Sequence, residues 1–235
     1  RIRYRNMSLG VFWSLLNPLI MMAVFTFVFS YILPGNIQHY PLFLLCGLVP
    51  WNFFSISWLS GTTSLVDNAV LIRRVPVPRE IIPITAVLSN CVHLLIQIAL
   101  LFAFVFLYHT PVTLAWAWLP IIWLLEIIFV CGLALFSASL NIFLRDTRYI
   151  VESAITVLFW LVPVFYSFEM IPPRFKDIYQ YNPVAAMILA LRNVLLDAHS
   201  PAIGLLLKLA AVSFATFIMG YVFFQRSKRR VYDFL

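Results

Sequence analysis

The chain has 235 residues, of which 63% are hydrophobic and only 11% charged, with a formal net charge of +7. Ordinary soluble domains carry about 25% charged residues, so a soluble globular fold is excluded, and a mean hydropathy of +0.96 points to one polytopic membrane domain. The basic balance does not imply a nucleic-acid partner, because Lys and Arg accumulate in the cytoplasmic loops of membrane proteins.

Positions 6–66 and 81–125 contain no Asp, Glu, Lys or Arg. A helical crossing needs roughly 20 apolar residues, and the apolar runs divide into six expected spans at about 12–33, 41–62, 82–107, 118–143, 149–168 and 202–224. Asn17-Pro18 lies near the start of the first, where a proline is tolerated because first-turn N–H groups lack partners. Pro34-Gly35-Asn36 forms a short outer loop. Gly47 and Pro50 interrupt the second span. Ser64 and Asp67 have the spacing of a capping box, followed by apolar residues at helical period, so a short extramembrane helix is expected over 65–75. Arg73 and Arg74 suit its C-terminal end, and Pro76 and Pro78 stop it.

Tyr108, Trp116 and Trp118 mark the outer ends of the third and fourth spans, as interfacial aromatics do. Arg145-Asp146-Thr147-Arg148 forms a tight turn, and Pro163 interrupts the fifth span. Pro172-Pro173 and Asn182-Pro183 each open a short helix within 173–198, the second with Asn182 as N-cap and Pro183 at the first helical position. That second helix is too short to cross and reads as interfacial or re-entrant. Arg1, Arg3, Arg5, Arg73, Arg74, Arg79, Arg145, Arg148 and the tail Arg226, Lys228, Arg229, Arg230 fall on one side. Arg174, Lys176 and Arg192 fall on the other. The asymmetry places both termini in the cytoplasm.

Chemistry at membrane depth is sparse. Glu126 is the carboxylate inside a span, and Lys208 sits at similar depth. Either the two pair across helices or Lys208 snorkels outward. His93 reads as a helix–helix contact. Cys46, Cys91 and Cys131 lie singly in apolar stretches and suggest neither a disulfide framework nor a metal site. No nucleophile elbow, H-E-x-x-H motif or P-loop occurs, so no catalytic residue and no cofactor is assigned to this chain. Aromatic residues reach 17% and concentrate in the first, second and fifth spans. Flat rings can hold the apolar faces of sugars without fixing them, which suits a sliding polymer.

The stretches Leu15-Leu16-Asn17-Pro18, Gly47-Leu48-Val49-Pro50-Trp51-Asn52-Phe53-Phe54, Val75-Pro76-Val77-Pro78-Arg79-Glu80, Leu140-Asn141-Ile142-Phe143-Leu144-Arg145-Asp146 and Tyr181-Asn182-Pro183 occur in this order. Together they resemble the membrane subunits of type-two ABC exporters, in the polysaccharide-export branch. The resemblance implies a homodimer in the bacterial cytoplasmic (inner) membrane, working with two copies of a separate ATPase that would bind ATP and Mg, and exporting O-antigen, capsule or teichoic acid on a lipid anchor. It implies that Val66–Arg79 forms a coupling helix seated on the ATPase, with Val66, Asp67, Asn68, Leu71, Ile72, Arg73, Arg74, Pro78 and Arg79 as its contact residues. It implies a channel lined by the first and fifth spans, through Phe25, Phe29, Tyr31, Phe159, Trp160, Phe165 and Tyr166. Pro172, Pro173, Asn182, Pro183 and Arg192 would belong to an outer gate. Residues Arg1–Arg5 would be the remnant of an amphipathic interface helix. Two other readings stand beside this one: a drug or lipid exporter of a neighbouring ABC branch, and a membrane-embedded sugar-lipid transferase, which would need an acidic or His cluster at a loop–membrane boundary.

Overall fold

A computed structural model describes residues 13–32, 37–74 and 78–234 of the chain. Arg1–Arg5, the loop 34–36 and residues 75–77 lie outside the described residues. Among those described, the elements are helical: α1 Trp13–Phe27, continued by a π turn Val28–Ile32; α2 Tyr40–Asp67; α3 Ala69–Arg74; α4 Ile81–Leu107; α5 Leu119–Phe143, led in by a 3-10 turn Leu114–Trp118; α6 Thr147–Leu161; α7 Pro173–Tyr181; α8 Pro183–Leu195; and α9 Ile203–Phe234. Five stretches are long and apolar enough to cross a membrane: Leu15–Ile32, Tyr40–Asp67, Ile81–Leu107, Leu114–Phe143 and Ile203–Ser227.

The expected fifth span takes a different form. α6 has 15 residues, about 22 Å at 1.5 Å per residue, against a hydrocarbon core of about 30 Å. The helix stops because Pro163 has no N–H to continue the ladder. The chain then runs on without helix through Val164 and Phe165 to the level of Tyr40, whose hydroxyl donates to Phe165 O at 2.9 Å. Helix and extended segment together lead from the end of the bundle that carries Arg148 to the opposite end.

A second difference concerns Ser64 and Asp67. They do not cap a separate helix, because α2 continues through both. Ser64 is buried and its hydroxyl donates to Gly61 O one turn back, at 2.7 Å, while Asp67 Oδ2 accepts from Thr63 Oγ1 at 2.7 Å. The break comes at Asn68, whose backbone and side-chain nitrogens both donate to Ser64 O, at 3.2 and 2.8 Å. The short helix expected over 65–75 is therefore the six-residue α3, starting at Ala69.

α2 is the centre of the bundle: 72% of its membrane-length window is buried, against 6% for α1. It packs on α1, α4, α5, α6 and α8. Between helices in lipid, small residues and interhelical hydrogen bonds replace the hydrophobic driving force. Gly61 of α2 lies against Ala134 of α5, and one turn of polar contact follows, Thr62 Oγ1 to Ser137 Oγ at 2.8 Å. α4 joins α2 through Asn90 Nδ2, which donates to Ser60 Oγ at 2.8 Å. The α5–α9 crossing is backbone on backbone. A Cβ on Gly220 would lie 2.1 Å from Gly132 O, and one on Gly132 would lie 2.6 Å from Phe217 Cα.

Because neither backbone can give way, Gly220→Val should cost at least the 1–3 kcal/mol typical of an overpacked core. Gly204→Ala, with open space around its Cβ position, should be silent. Thermal unfolding of the detergent-solubilised variants checks the contrast.

Candidate functional site

Pro163 leaves carbonyl groups at the end of α6 without helical donors, and a buried carbonyl needs a partner. Arg192 supplies it. The residue sits on α8, is buried, and donates from Nη1 to Pro163 O at 2.7 Å and from Nη2 to Val164 O at 2.7 Å and Phe43 O at 3.4 Å. Its guanidinium also lies 3.5 Å from the centre of the Phe43 ring, a cation–π contact strengthened by exclusion of water. Gly47 makes the approach possible: a Cβ there would come within 2.7 Å of Val164 O and 3.2 Å of Arg192 Nη2. α8 is thus buried among the other helices. It opens as expected, with Asn182 Oδ1 accepting from the N–H groups of Val184 and Ala185 and Pro183 at the first position. Past its end, burial raises the carboxyl of Asp197 above the usual range, against the pull of His199 and Arg192.

The break holds an aromatic seam between α1, α2 and the end of α6. Phe165 stacks on Phe25 at 5.5 Å and on Phe29 at 5.7 Å, and Phe25 meets Phe159 at 6.1 Å. Trp160 and Tyr166 meet Phe165 edge-on at 5.3 and 5.2 Å, and Trp51 of α2 joins at Phe159, 5.5 Å away. The structure brings together Phe25, Phe29, Phe159, Trp160, Phe165 and Tyr166. Tyr31 stands apart: it is exposed and packs on Phe27. Below the seam, Asn17, Met21, Trp51, Asn52, Thr156 and Trp160 help to line a cavity of about 280 Å³ open to the surface.

At the other end of the bundle, the residues expected to couple to an ATPase divide. Val66, Asp67, Leu71, Arg74 and Pro78 are exposed, together with Val70, while Ile72 packs against the cluster of Leu65, Leu135, Ala138, Ile142 and Phe224. Arg79 is buried, and Asn68 serves α2 as its C-cap. The Arg73 side chain lies outside the described ones. Arg148 forms an i,i+4 ion pair with Glu152 at 2.9 Å, which raises its already high pKa; at this exposure such a pair contributes little stability.

The expected Glu126–Lys208 pair is not formed. Lys208 Nζ donates to Gln180 Oε1 of α7 at 2.8 Å and lies 4.9 Å from the Tyr181 ring. It snorkels to the end of the bundle, where its ammonium loses less hydration. Glu126 is fully buried in α5, and neither carboxylate oxygen has a hydrogen-bond partner among the described residues. Sequence reasoning assigned Arg192 to an outer gate and missed its buried role. The usable signal was a Pro break in one apolar run and a lone cation in another that is too short to cross.

Residues 1–196, which include every element of the seam and the Arg192 clamp, match the family described as ABC-2 type transporter. The chain belongs to the ABC-2 type transporter family. Among curated members of its kind it is similar to the O-antigen export system permease protein RfbA of Klebsiella pneumoniae, 35% identical over 198 residues that cover 84% of this chain and 76% of the relative. It is 27% identical to the RfbA protein of Myxococcus xanthus, covering 91% of this chain and 83% of that one. It is 21% identical to the polysialic acid transport protein KpsM of Escherichia coli, covering 96% and 88%. An ABC-2 membrane subunit with several apolar crossings is a multi-pass membrane protein and a transport component.

Loss of the clamp has a size. Arg192→Ala strips the donor from Pro163 and Val164 carbonyls, and each unsatisfied buried group costs about 1–3 kcal/mol. Arg192→Lys keeps the charge but loses the planar fork and should recover only part. Apparent melting temperatures in detergent should fall in the order wild type, Lys, Ala, with the exposed Arg174→Ala unchanged.

Proposed function

We propose that this chain is the membrane-spanning permease of an ATP-driven exporter that moves a lipid-linked polysaccharide across the bacterial cytoplasmic membrane. The observation that carries it is the 35% identity to an O-antigen permease over 84% of the chain. The aromatic seam is chemically suited to the task. Stacked Phe and Trp faces offer dispersion to sugar rings without the strong hydrogen bonds that would hold a polymer in place. α1 is scarcely covered within one chain, which favours a homodimer in which two copies of α1 and α6 enclose the path. The termini and α3 would face the cytoplasm, as the Arg distribution requires. The exposed Val66, Val70, Leu71 and Arg74 then form the contact for a separate ATPase, two copies per assembly, which would bind ATP and Mg. Closure of the ATPases on ATP moves α3 as a lever at the foot of α2. A neighbouring-branch lipid exporter would keep α3 but have no use for a wide aromatic path.

Deletion of the gene should leave lipid-linked glycan inside the cell and none at the surface, read by surface staining and by analysis of extracted lipid-linked glycan. Surface glycan at the wild-type level would overturn the assignment. Replacing Arg73 and Arg74 together with Ala should leave the protein in the membrane while export is lost; intact export would remove α3 from the coupling role.

A further inference from the structure

α2 and α6 line a second cavity, of about 550 Å³, at the end of the bundle that carries Arg148. Its volume falls in the range of small-molecule sites, about 300–1,000 Å³. The α2 residues that face it are Ile56, Leu59, Ser60, Thr63 and Asp67, and Arg148 of α6 closes the other side. On α2, Asn52 of the aromatic cavity is one helical turn from Ile56 of this one; on α6, Ile155, Thr156 and Phe159 follow Arg148 in the same direction. The two cavities lie one after the other along the facing sides of α2 and α6. The lining chemistry changes from hydroxyl, carboxylate and guanidinium at the Arg148 end to amide and aromatic at the other.

We infer that the Thr63–Asp67–Arg148 cavity is a loading site for a neutral, polyhydroxylated stretch of the transported glycan, ahead of the aromatic seam; this rests on the exporter reading above. Asp67 Oδ2 accepts a hydrogen bond from the Thr63 hydroxyl at 2.7 Å. A carboxylate has about four acceptor positions, so it can still accept from sugar hydroxyls, and bonds to a charged acceptor are the stronger kind. Ser60 is already engaged with Ser57 O and Asn90 Nδ2 and shapes the wall. The Arg148 guanidinium, held by Glu152 on one N–H, keeps other donors for ring and hydroxyl oxygens. Charge selects the ligand class. Asp67 and Glu152 both offset the Arg148 guanidinium, so the cavity lining carries no uncompensated cation to hold a diphosphate and suits a neutral sugar. Side chains here hydrogen-bond and those beyond stack, so a chain is gripped where it is loaded and slides where it is conveyed.

The test is thiol protection at Ile56→Cys, an exposed wall residue of the cavity that takes no part in its hydrogen bonding, in a strain deleted for the native gene. Cys46 and Cys131 are buried and Cys91 half-buried, so the unsubstituted chain reports background. The variant must first restore surface glycan, which tests the exporter reading by itself. Inside-out membrane vesicles are then treated with an anionic, membrane-impermeant methanethiosulfonate. They come from cells that make the full polymer, cells that make only the lipid diphosphate with one sugar, and cells that make neither. Labelling should be rapid without glycan and with the single-sugar lipid. With polymer it should slow about tenfold, the factor for an occupant at roughly ten times its dissociation constant. Equal labelling with and without polymer, in a variant that still exports, would overturn the loading site and leave the exporter reading standing. Equal protection by the single-sugar lipid would assign the cavity to the anchor phosphate and overturn the neutral-sugar inference. No labelling in any vesicle would also overturn it, because a loading site must open to the aqueous face.

Discussion

The clamp made by the Arg192 guanidinium is the interaction on which the α8 end of this bundle depends. A proline inside a crossing frees carbonyl groups that lipid cannot satisfy. Broken helices elsewhere in membrane transport place such carbonyls around a mobile cation; here the cation is tethered to a neighbouring helix. Pro163, Val164 and Phe43 come from two separate stretches of chain, and one planar side chain joins them. The Phe43 ring on its face and Gly47 beneath it complete the seat. Remove the charge and both stretches lose a shared partner at once.

This arrangement separates the chain into parts that are rigid and parts that are presented. α2, α5 and α9 are locked by glycine contacts too close for a side chain, and by the Thr62–Ser137 hydrogen bond. α8 is held by the clamp. What remains open is the side where α1 and α6 lie on α2, with the aromatic seam toward one end and the Thr63–Asp67–Arg148 cavity toward the other. The proposed exporter needs both properties, because α3 in the proposed coupling role would move a pathway only if the helix it pushes does not deform. α2 meets that need as a single 28-residue helix running from the foot of the clamp to Asn68, immediately before α3.

The long apolar runs, the Asn182 cap and the proline breaks were legible in the sequence because each depends on nearby residues: hydropathy sums over a window, a cap spans three positions, and a proline lacks its own N–H. The Ser64 capping box failed for a reason of context. A serine donating to the carbonyl one turn back is compatible with a continuing helix, and burial of Ser64 favours continuation. The Glu126–Lys208 pair failed because similar depth does not put two side chains face to face, and Lys208 found Gln180 at lower cost in hydration.

The sequence by itself determined that this is an all-helical, multi-pass membrane protein and, through ordered motifs, its family. Those properties follow from local chemistry and from the length of a bilayer crossing. Tertiary structure alone decided that Arg192 is a buried staple, that Gly47, Gly61, Gly132 and Gly220 are crossing points, and that Asp67 and Arg148 border one cavity. These are meetings of residues far apart in the chain, set by how helices pack side by side, and no window along the sequence contains both partners.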